Sequence, residues 1–95
     1  MNKLYLNELY LKNLDRACNC DFIEFEKLKN KSILISGASG LIGSFLIDVI
    51  MKLNIETNLN CKIFAIGRNK KKALNRFDIY NSNSCFKFYK SNKYK

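Results

Sequence analysis

The stretch Ile33–Ile50, ILISGASGLIGSFLIDVI, constrains the fold more than any other part of the chain. It opens on an apolar run, passes through glycines at 37, 40 and 43, and continues with apolar residues at helical spacing. Ser32–Ser36 reads as a short strand. Its consecutive Ile33, Leu34 and Ile35 suggest burial on both faces, as in a parallel sheet. Leu41, Phe45, Val49 and Leu53, with Leu46 and Ile50 beside them, mark the apolar face of a helix over Leu41–Leu53.

The glycines sit where a strand hands over to a helix, and each has a physical task there. Gly37 permits the tight turn out of the strand. Gly40 has no side chain, so a pyrophosphate can approach the backbone at the helix start. Gly43 lets the helix pack closely on the sheet. Amides near Gly40, Leu41 and Ile42 are the expected donors, helped by the partial positive charge of the helix N-terminus. The spacing is G-x-x-G-x-x-G, with Ser39 standing where the common dinucleotide fingerprint has its second glycine. Ser39 joins Gly37, Gly40, Leu41, Ile42 and Gly43 as a cofactor-binding candidate. No Gly-Lys-Ser/Thr follows, which disfavours a phosphate-loop triphosphatase.

Beyond the helix, Asn54–Asn60 reads as a polar loop and Cys61–Ile66 as a second strand, with Ile63–Ile66 as its core. Gly67–Asn69 is a turn, Lys70–Phe77 a short helix, Asn81–Ser84 a loop and Cys85–Tyr89 a third strand. The resulting fold class is α/β: a partial Rossmann fold, β-α-β-α-β on a parallel sheet. A carboxylate at the end of the second strand would bind the adenosine ribose and favour NAD. Gly67 occupies that position and Arg68 follows it. A guanidinium forks onto a 2′-phosphate or lies over adenine, so NADP is mildly preferred to NAD. Asn69 supplies a further hydrogen bond, and Lys70, Lys71 and Lys72 form a solvated face within reach of such a phosphate.

A lead-in precedes this unit. Leu6, Leu9, Tyr10 and Leu14 fit one face of a helix within Asn2–Leu14. After a break at Asn19–Asp21, Asp21 and Glu24 have capping-box spacing for a second short helix, with Phe22, Phe25 and Leu28 apolar. The predicted division is 1–30, a helical lead-in, and 31–95, an incomplete NAD(P)-binding domain. At 95 residues the chain is at most one small domain.

Charge and cysteine usage narrow the alternatives. Seventeen Lys and Arg against eight Asp and Glu give a net charge of +9, but fourteen of the seventeen are scattered lysines. A solvated surface explains them better than a nucleic-acid site. Cys18 and Cys20 are too close for a Cys-x-x-Cys pair, Cys61 and Cys85 stand apart, and the chain has no histidine, so free thiols and no metal site are expected. No apolar run approaches the roughly 20 residues needed to span a bilayer, and the expected location is cytoplasmic.

With its glycine turn and flanks, the chain resembles the NAD-dependent epimerase/dehydratase family, the extended branch of the short-chain dehydrogenases. ILISGASGLIGSFLIDVI resembles the family's first strand and helix, and CKIFAIGRNKKKA its second strand and nucleotide-selecting loop. CNCDFIEFEKLKNKS is similar to the lead-in of some nucleotide-sugar epimerases and dehydratases. The resemblance implies the N-terminal, dinucleotide-binding portion of a longer enzyme that oxidises a sugar hydroxyl by hydride transfer to NAD(P). Such enzymes use a tyrosine base with a lysine four residues later. Tyr89 and Lys93 have that spacing, but they follow the third strand directly and do not read as the catalytic pair. The chain alone is therefore expected to lack turnover. Two other readings are a stand-alone NAD(P) module, or one half of a split protein with a separately encoded C-terminal half, and a basic interaction protein with a relic glycine turn.

Overall fold

A computed structural model describes residues 3–91. Three parallel strands, β1 (Ser32–Ser36), β2 (Lys62–Gly67) and β3 (Phe86–Lys90), form one sheet in the order β1-β2-β3. Helix α1 (Glu8–Cys18) precedes the sheet, α2 (Leu41–Thr57) connects β1 to β2, and α3 (Lys70–Arg76) connects β2 to β3. The α/β class and the parallel sheet thus match the reading of the sequence.

The lead-in differs from expectation in its local structure. A single helix over Asn2–Leu14 is replaced by a 3-10 turn at Lys3–Leu6 and then α1. Asn7 divides them, because its side chain accepts from the Tyr10 N–H at 3.0 Å and so starts a new helix. The capping box at Asp21 and Glu24 does not form. Only a 3-10 turn, Phe25–Leu28, is present; Glu24 precedes it without a side-chain cap, and Phe22 is 96 % exposed. Phe25 and Leu28 do pack against the core, as does the buried Leu14 of α1, so the lead-in and the sheet share one apolar interior.

Helix α2 runs one turn past its expected end at Leu53 and stops where Asn58 adopts the left-handed conformation, φ 56°. Asn54 then ties the loop to the start of β2, donating to the Cys61 carbonyl and accepting from the Cys61 N–H, both at 2.8 Å. The buried face of α2 keeps Val49, Ile50 and Leu53 of the expected stripe, with Phe45 against the core, but is wider than that stripe and omits its first residue. Ile47, Val49, Ile50, Met51 and Leu53 are buried, together with Ser44 and Asp48, whereas Leu41 is 89 % exposed and Leu46 is exposed. At the far end α3 closes at Arg76, and a 3-10 turn at Asp78–Tyr80 follows it.

Alternation along the strands sends Ile35, Ile63, Ala65 and Phe86 into the core beneath Ile47, Ile50, Ala73 and Phe77. The opposite face carries Leu34, Phe64, Ile66 and Tyr89 in register, and Leu34 is 67 % exposed. The expected burial of β1 on both faces is therefore corrected: α2 and α3 cover one face, and no described element covers the other.

Candidate functional site

The carboxyl ends of all three strands meet at one groove of about 490 Å³. Ser36 at the end of β1, Gly67 at the end of β2 and Ser91 just beyond β3 form its floor, and Gly37, Ser39, Arg68, Asn69 and Lys72 line the rest. Crevices at the carboxyl ends of parallel strands are where α/β sheets bind ligands.

The glycine turn forms one wall. Gly37 has φ +63°, the left-handed region, and an added Cβ would meet nothing within 4 Å. Its glycine is required by backbone conformation, and the space beside it is open. Gly40 is the N-cap of α2; its N–H donates to the Gly37 carbonyl at 3.0 Å, and its own carbonyl receives the Ser44 N–H at 3.0 Å. The Gly40 amide is thus consumed inside the turn, which removes it from the donors expected from the sequence. Among the described residues the amides of Leu41, Ile42 and Gly43 have no backbone partner, as the first turn of a helix dictates. The side chains of Leu41 and Ile42 point to solvent, 89 % and 83 % exposed.

Gly43 is confined for a different reason from the one expected. A Cβ there would stand 2.5 Å from the Gly37 carbonyl oxygen and 3.5 Å from the Ala38 Cα. The close approach is between the helix and the turn itself, not the face of the sheet. The Ala38 N–H donates to the Ile66 carbonyl at 3.1 Å, pinning the turn to β2.

The opposite wall follows β2. Gly67 is buried, and a Cβ would press on the Phe88 ring at 3.2 Å, so a side chain at the end of β2 would require that ring to shift. Arg68 and Lys72 are exposed and face the groove from the turn and from α3. Asn69 is the N-cap of α3: its Oδ1 accepts from the Lys72 N–H at 2.9 Å, which leaves its amide nitrogen for other contacts. Ser36 and Ser91 were not singled out from the sequence. Strand order was the missing information, since Ser91 reaches the groove only because β3 lies beside β2, where its N–H donates to the Gly67 carbonyl at 2.7 Å.

A second polar cluster is buried under the lead-in. Asp48 of α2 is 1 % exposed and pairs with Arg76 at 2.7 Å. Tyr5 donates to its Oδ1 at 2.7 Å, Tyr80 to the same oxygen at 2.5 Å, and Tyr10 to Oδ2. Arg76 also donates to the hydroxyls of Tyr5 and Tyr10. Burial, then hydrogen bonding to Asp48, pushes the Tyr10 hydroxyl up to about 12. Tyr5 and Tyr80 are raised further, again first by burial and then by Asp48. Burial opposes the charge of Arg76, but the hydrogen bond and charge of Asp48 outweigh it and raise its pKa. Four donors fill the carboxylate's acceptor sites, so Asp48 acts as an internal anchor with no free site for a substrate. Its signal in the sequence was its isolation: it is the one charged residue between Lys31 and Lys52.

The remaining sequence candidates fall outside the groove. A depression of about 670 Å³ lies beside Cys18, Cys20, Phe25 and Leu59; burial raises the Cys18 thiol, which donates to the Val49 carbonyl and is not an activated nucleophile. All four cysteines are free thiols. Tyr89 is half exposed on the uncovered sheet face, and Lys93 lies outside the described residues. Among the described residues there is no cluster of metal-ligating side chains, and no helix is long and apolar enough to cross a membrane. Comparison with protein-family models, curated proteins and solved structures gives no match to this chain.

Proposed function

We propose that the groove binds the adenosine–pyrophosphate half of NAD(P), and that the chain is the N-terminal nucleotide-binding portion of an enzyme like the nucleotide-sugar epimerases and dehydratases. The observation that carries this reading is the left-handed Gly37 turn opening into a helix with unpaired first-turn amides, beside a groove at the carboxyl ends of parallel strands. In this reading the sheet with α2 and α3 is the first half of a Rossmann fold. The Leu41, Ile42 and Gly43 amides receive the pyrophosphate, and Ser39 borders it. Arg68 and Lys72 meet the adenosine end, where two cations favour the 2′-phosphate of NADP. Among the described residues the groove lining offers no paired catalytic acid and base, and in this reading the chain holds the nucleotide end while the reacting half of the cofactor lies elsewhere.

Titration of the purified chain with NADPH and NADH, followed by nucleotide fluorescence, tests the reading. Saturable binding with NADPH preferred is expected. Gly40→Asp places a negative charge at the pyrophosphate and is expected to abolish binding. Arg68→Ala is expected to weaken NADPH more than NADH, by about tenfold for the loss of one charge-assisted contact. Absence of binding for both nucleotides at millimolar concentration refutes the site, and equal losses in Arg68→Ala refute the preference for NADP.

A further inference from the structure

The buried cluster around Asp48 joins the two helices that carry the walls of the groove. Helix α2 brings the glycine wall at its N-terminus, and α3 brings Asn69 and Lys72 at its own. Along their lengths the two helices have different partners: α2 packs on α1, and α3 on β3. The ion pair of Asp48 and Arg76, at 2.7 Å, ties one helix to the other.

Both ends of that tie lie on a helical row that leads to the groove. Residues three, four and seven apart share one side of a helix. Leu41, Ser44 and Asp48 form such a row on α2, and it ends at the Leu41 amide, which has no backbone partner among the described residues. Within that row the Ser44 hydroxyl donates to the Leu41 carbonyl at 3.2 Å. Lys72 and Arg76 form the matching row on α3. At about 1.5 Å of rise per residue, the tie lies about 10 Å from Leu41 and about 6 Å from Lys72 along the helix axes. The direction of Arg76 therefore sets the rotation of α3 about its axis, and with it the side on which Lys72 stands.

The lead-in fixes that direction. The Tyr5 hydroxyl accepts from one guanidinium nitrogen of Arg76 and donates to Oδ1 of Asp48. The Tyr10 hydroxyl accepts from the other nitrogen and donates to Oδ2. Each tyrosine thus bridges both members of the pair. Their ring centroids lie 5.3 Å and 5.8 Å from the guanidinium carbon, and the Phe77 ring lies 5.1 Å from it. A cavity of about 390 Å³ separates this cluster from the first turn of α2, bordered by Tyr10, Arg76, Ser44, Leu41 and Ile42. Side chains do not fill that space, so the row through Ser44 is the direct connection between them.

We propose that Tyr5 and Tyr10 are positioning residues for the nucleotide: by holding the Asp48–Arg76 pair they set the spacing of the glycine wall and the cationic wall, and so the preference for a 2′-phosphate. The proposal rests on the nucleotide reading of the groove given above. In that reading NADPH spans both walls, with its pyrophosphate on the α2 amides and its 2′-phosphate at Arg68 and Lys72. NADH lacks the group that reaches the second wall. A change in spacing therefore costs NADPH more than NADH.

The test titrates the full chain and its Tyr5→Phe, Tyr10→Phe and Arg76→Lys variants with NADPH and NADH, followed by nucleotide fluorescence. All three variants keep the net charge, so long-range attraction to either nucleotide is unchanged. Lysine keeps the charge of Arg76 but loses the fork that reaches Asp48 and both hydroxyls. Each tyrosine variant is expected to weaken NADPH by about threefold or more, and NADH by less than about twofold. Arg76→Lys is expected to weaken NADPH at least as much. Circular dichroism at the titration temperature verifies that each variant is folded. Tyr10 is only partly buried, so Tyr10→Phe is the milder change and decides the matter where Arg76→Lys does not fold. Equal weakening of the two nucleotides marks a damaged fold, not a displaced wall, and overturns the proposal. If the parent prefers NADPH and the folded tyrosine variants keep that preference, the positioning role alone fails. If the parent binds neither nucleotide, the reading of the groove fails and the positioning role falls with it.

Discussion

Removing the Asp48 carboxylate is expected to be among the most damaging single changes in the chain. The side chain is fully buried and accepts from Arg76, Tyr5, Tyr10 and Tyr80, which come from α3, the first turn, α1 and the turn before β3. Asp48→Ala leaves the guanidinium of Arg76, only 13 % exposed, without its counter-charge and deprives the hydroxyls of their acceptor. Breaking a buried ion pair from one side costs about 3–5 kcal/mol. A domain of this length has roughly 5–14 kcal/mol in total, at about 0.05–0.15 kcal/mol per residue. Asp48→Ala should therefore remove roughly a fifth or more of the stability, read as the midpoint of urea unfolding by circular dichroism. Arg76→Met should cost a similar amount, because it strands the carboxylate. The Asp48→Leu/Arg76→Met double variant should be less damaged than the sum of the single changes, since neither charge is then left unpaired. If Asp48→Ala unfolds the chain outright, Tyr5→Phe and Tyr10→Phe still report on the cluster. Each removes one hydrogen bond to a charged group, worth about 1.5–3 kcal/mol when buried and less at the half-exposed Tyr10. A loss under about 1 kcal/mol in Asp48→Ala would refute the anchor, as would additivity of the two charge deletions within about 0.5 kcal/mol.

Two further outcomes follow from local geometry. In Gly43→Ala a Cβ meets the Gly37 carbonyl oxygen at 2.5 Å, against 3.2 Å in Gly40→Ala. The overpacking penalty of about 1–3 kcal/mol exceeds a helix-propensity gain of at most about 1 kcal/mol, so Gly43→Ala lowers the urea midpoint more than Gly40→Ala does. A Gly43→Ala variant as stable as the parent would remove the close approach. In alkaline solution, Tyr10 is held to about 12 and Tyr5 and Tyr80 higher, while an unfolded tyrosine ionises near 10. Their contribution is fully present below about pH 10 and is lost as pH rises toward 12, because only the unfolded chain releases the protons in that window. Urea midpoints should stay level to about pH 10 and then fall, with a smaller fall in Tyr5→Phe/Tyr10→Phe. A level midpoint through about pH 11 would contradict the tyrosine environments.

The strands and the glycine turn were legible because each rests on local chemistry. Apolar β-branched runs end at Gly37 and Gly67, and a helix opening on Gly40 needs no tertiary partner to be recognised. The apolar stripe of α2 was legible in part: Val49, Ile50 and Leu53 are buried and Phe45 packs against the core, but a stripe at Leu41, Phe45, Val49 and Leu53 presumes a helix with one buried side. The structure buries α2 against both the sheet and α1, so Ile47, Asp48 and Met51 are inside while Leu41 faces solvent. Likewise Leu34 looked buried within Ile33–Ile35, since an apolar triplet does not reveal that helices cover only one side of a sheet.

The most instructive displacement concerns Gly67. Read as sequence, its lack of a carboxylate at the end of β2 was a statement about cofactor choice. In the fold the same glycine also sits closely packed, with the Phe88 ring 3.2 Å from where its Cβ would be. A side chain there would have to shift the Phe88 ring by a few tenths of an ångström. In the proposed reading, discrimination between NAD and NADP falls to Arg68 and Lys72, the exposed cations on that wall. Because Asn69 spends its Oδ1 on the Lys72 amide, it holds the start of α3, and through it the stem of Lys72, beside the groove. The residue expected to touch the ligand thus also acts by placing the one that would, and a change at Asn69 should alter nucleotide preference even where its own side chain makes no contact.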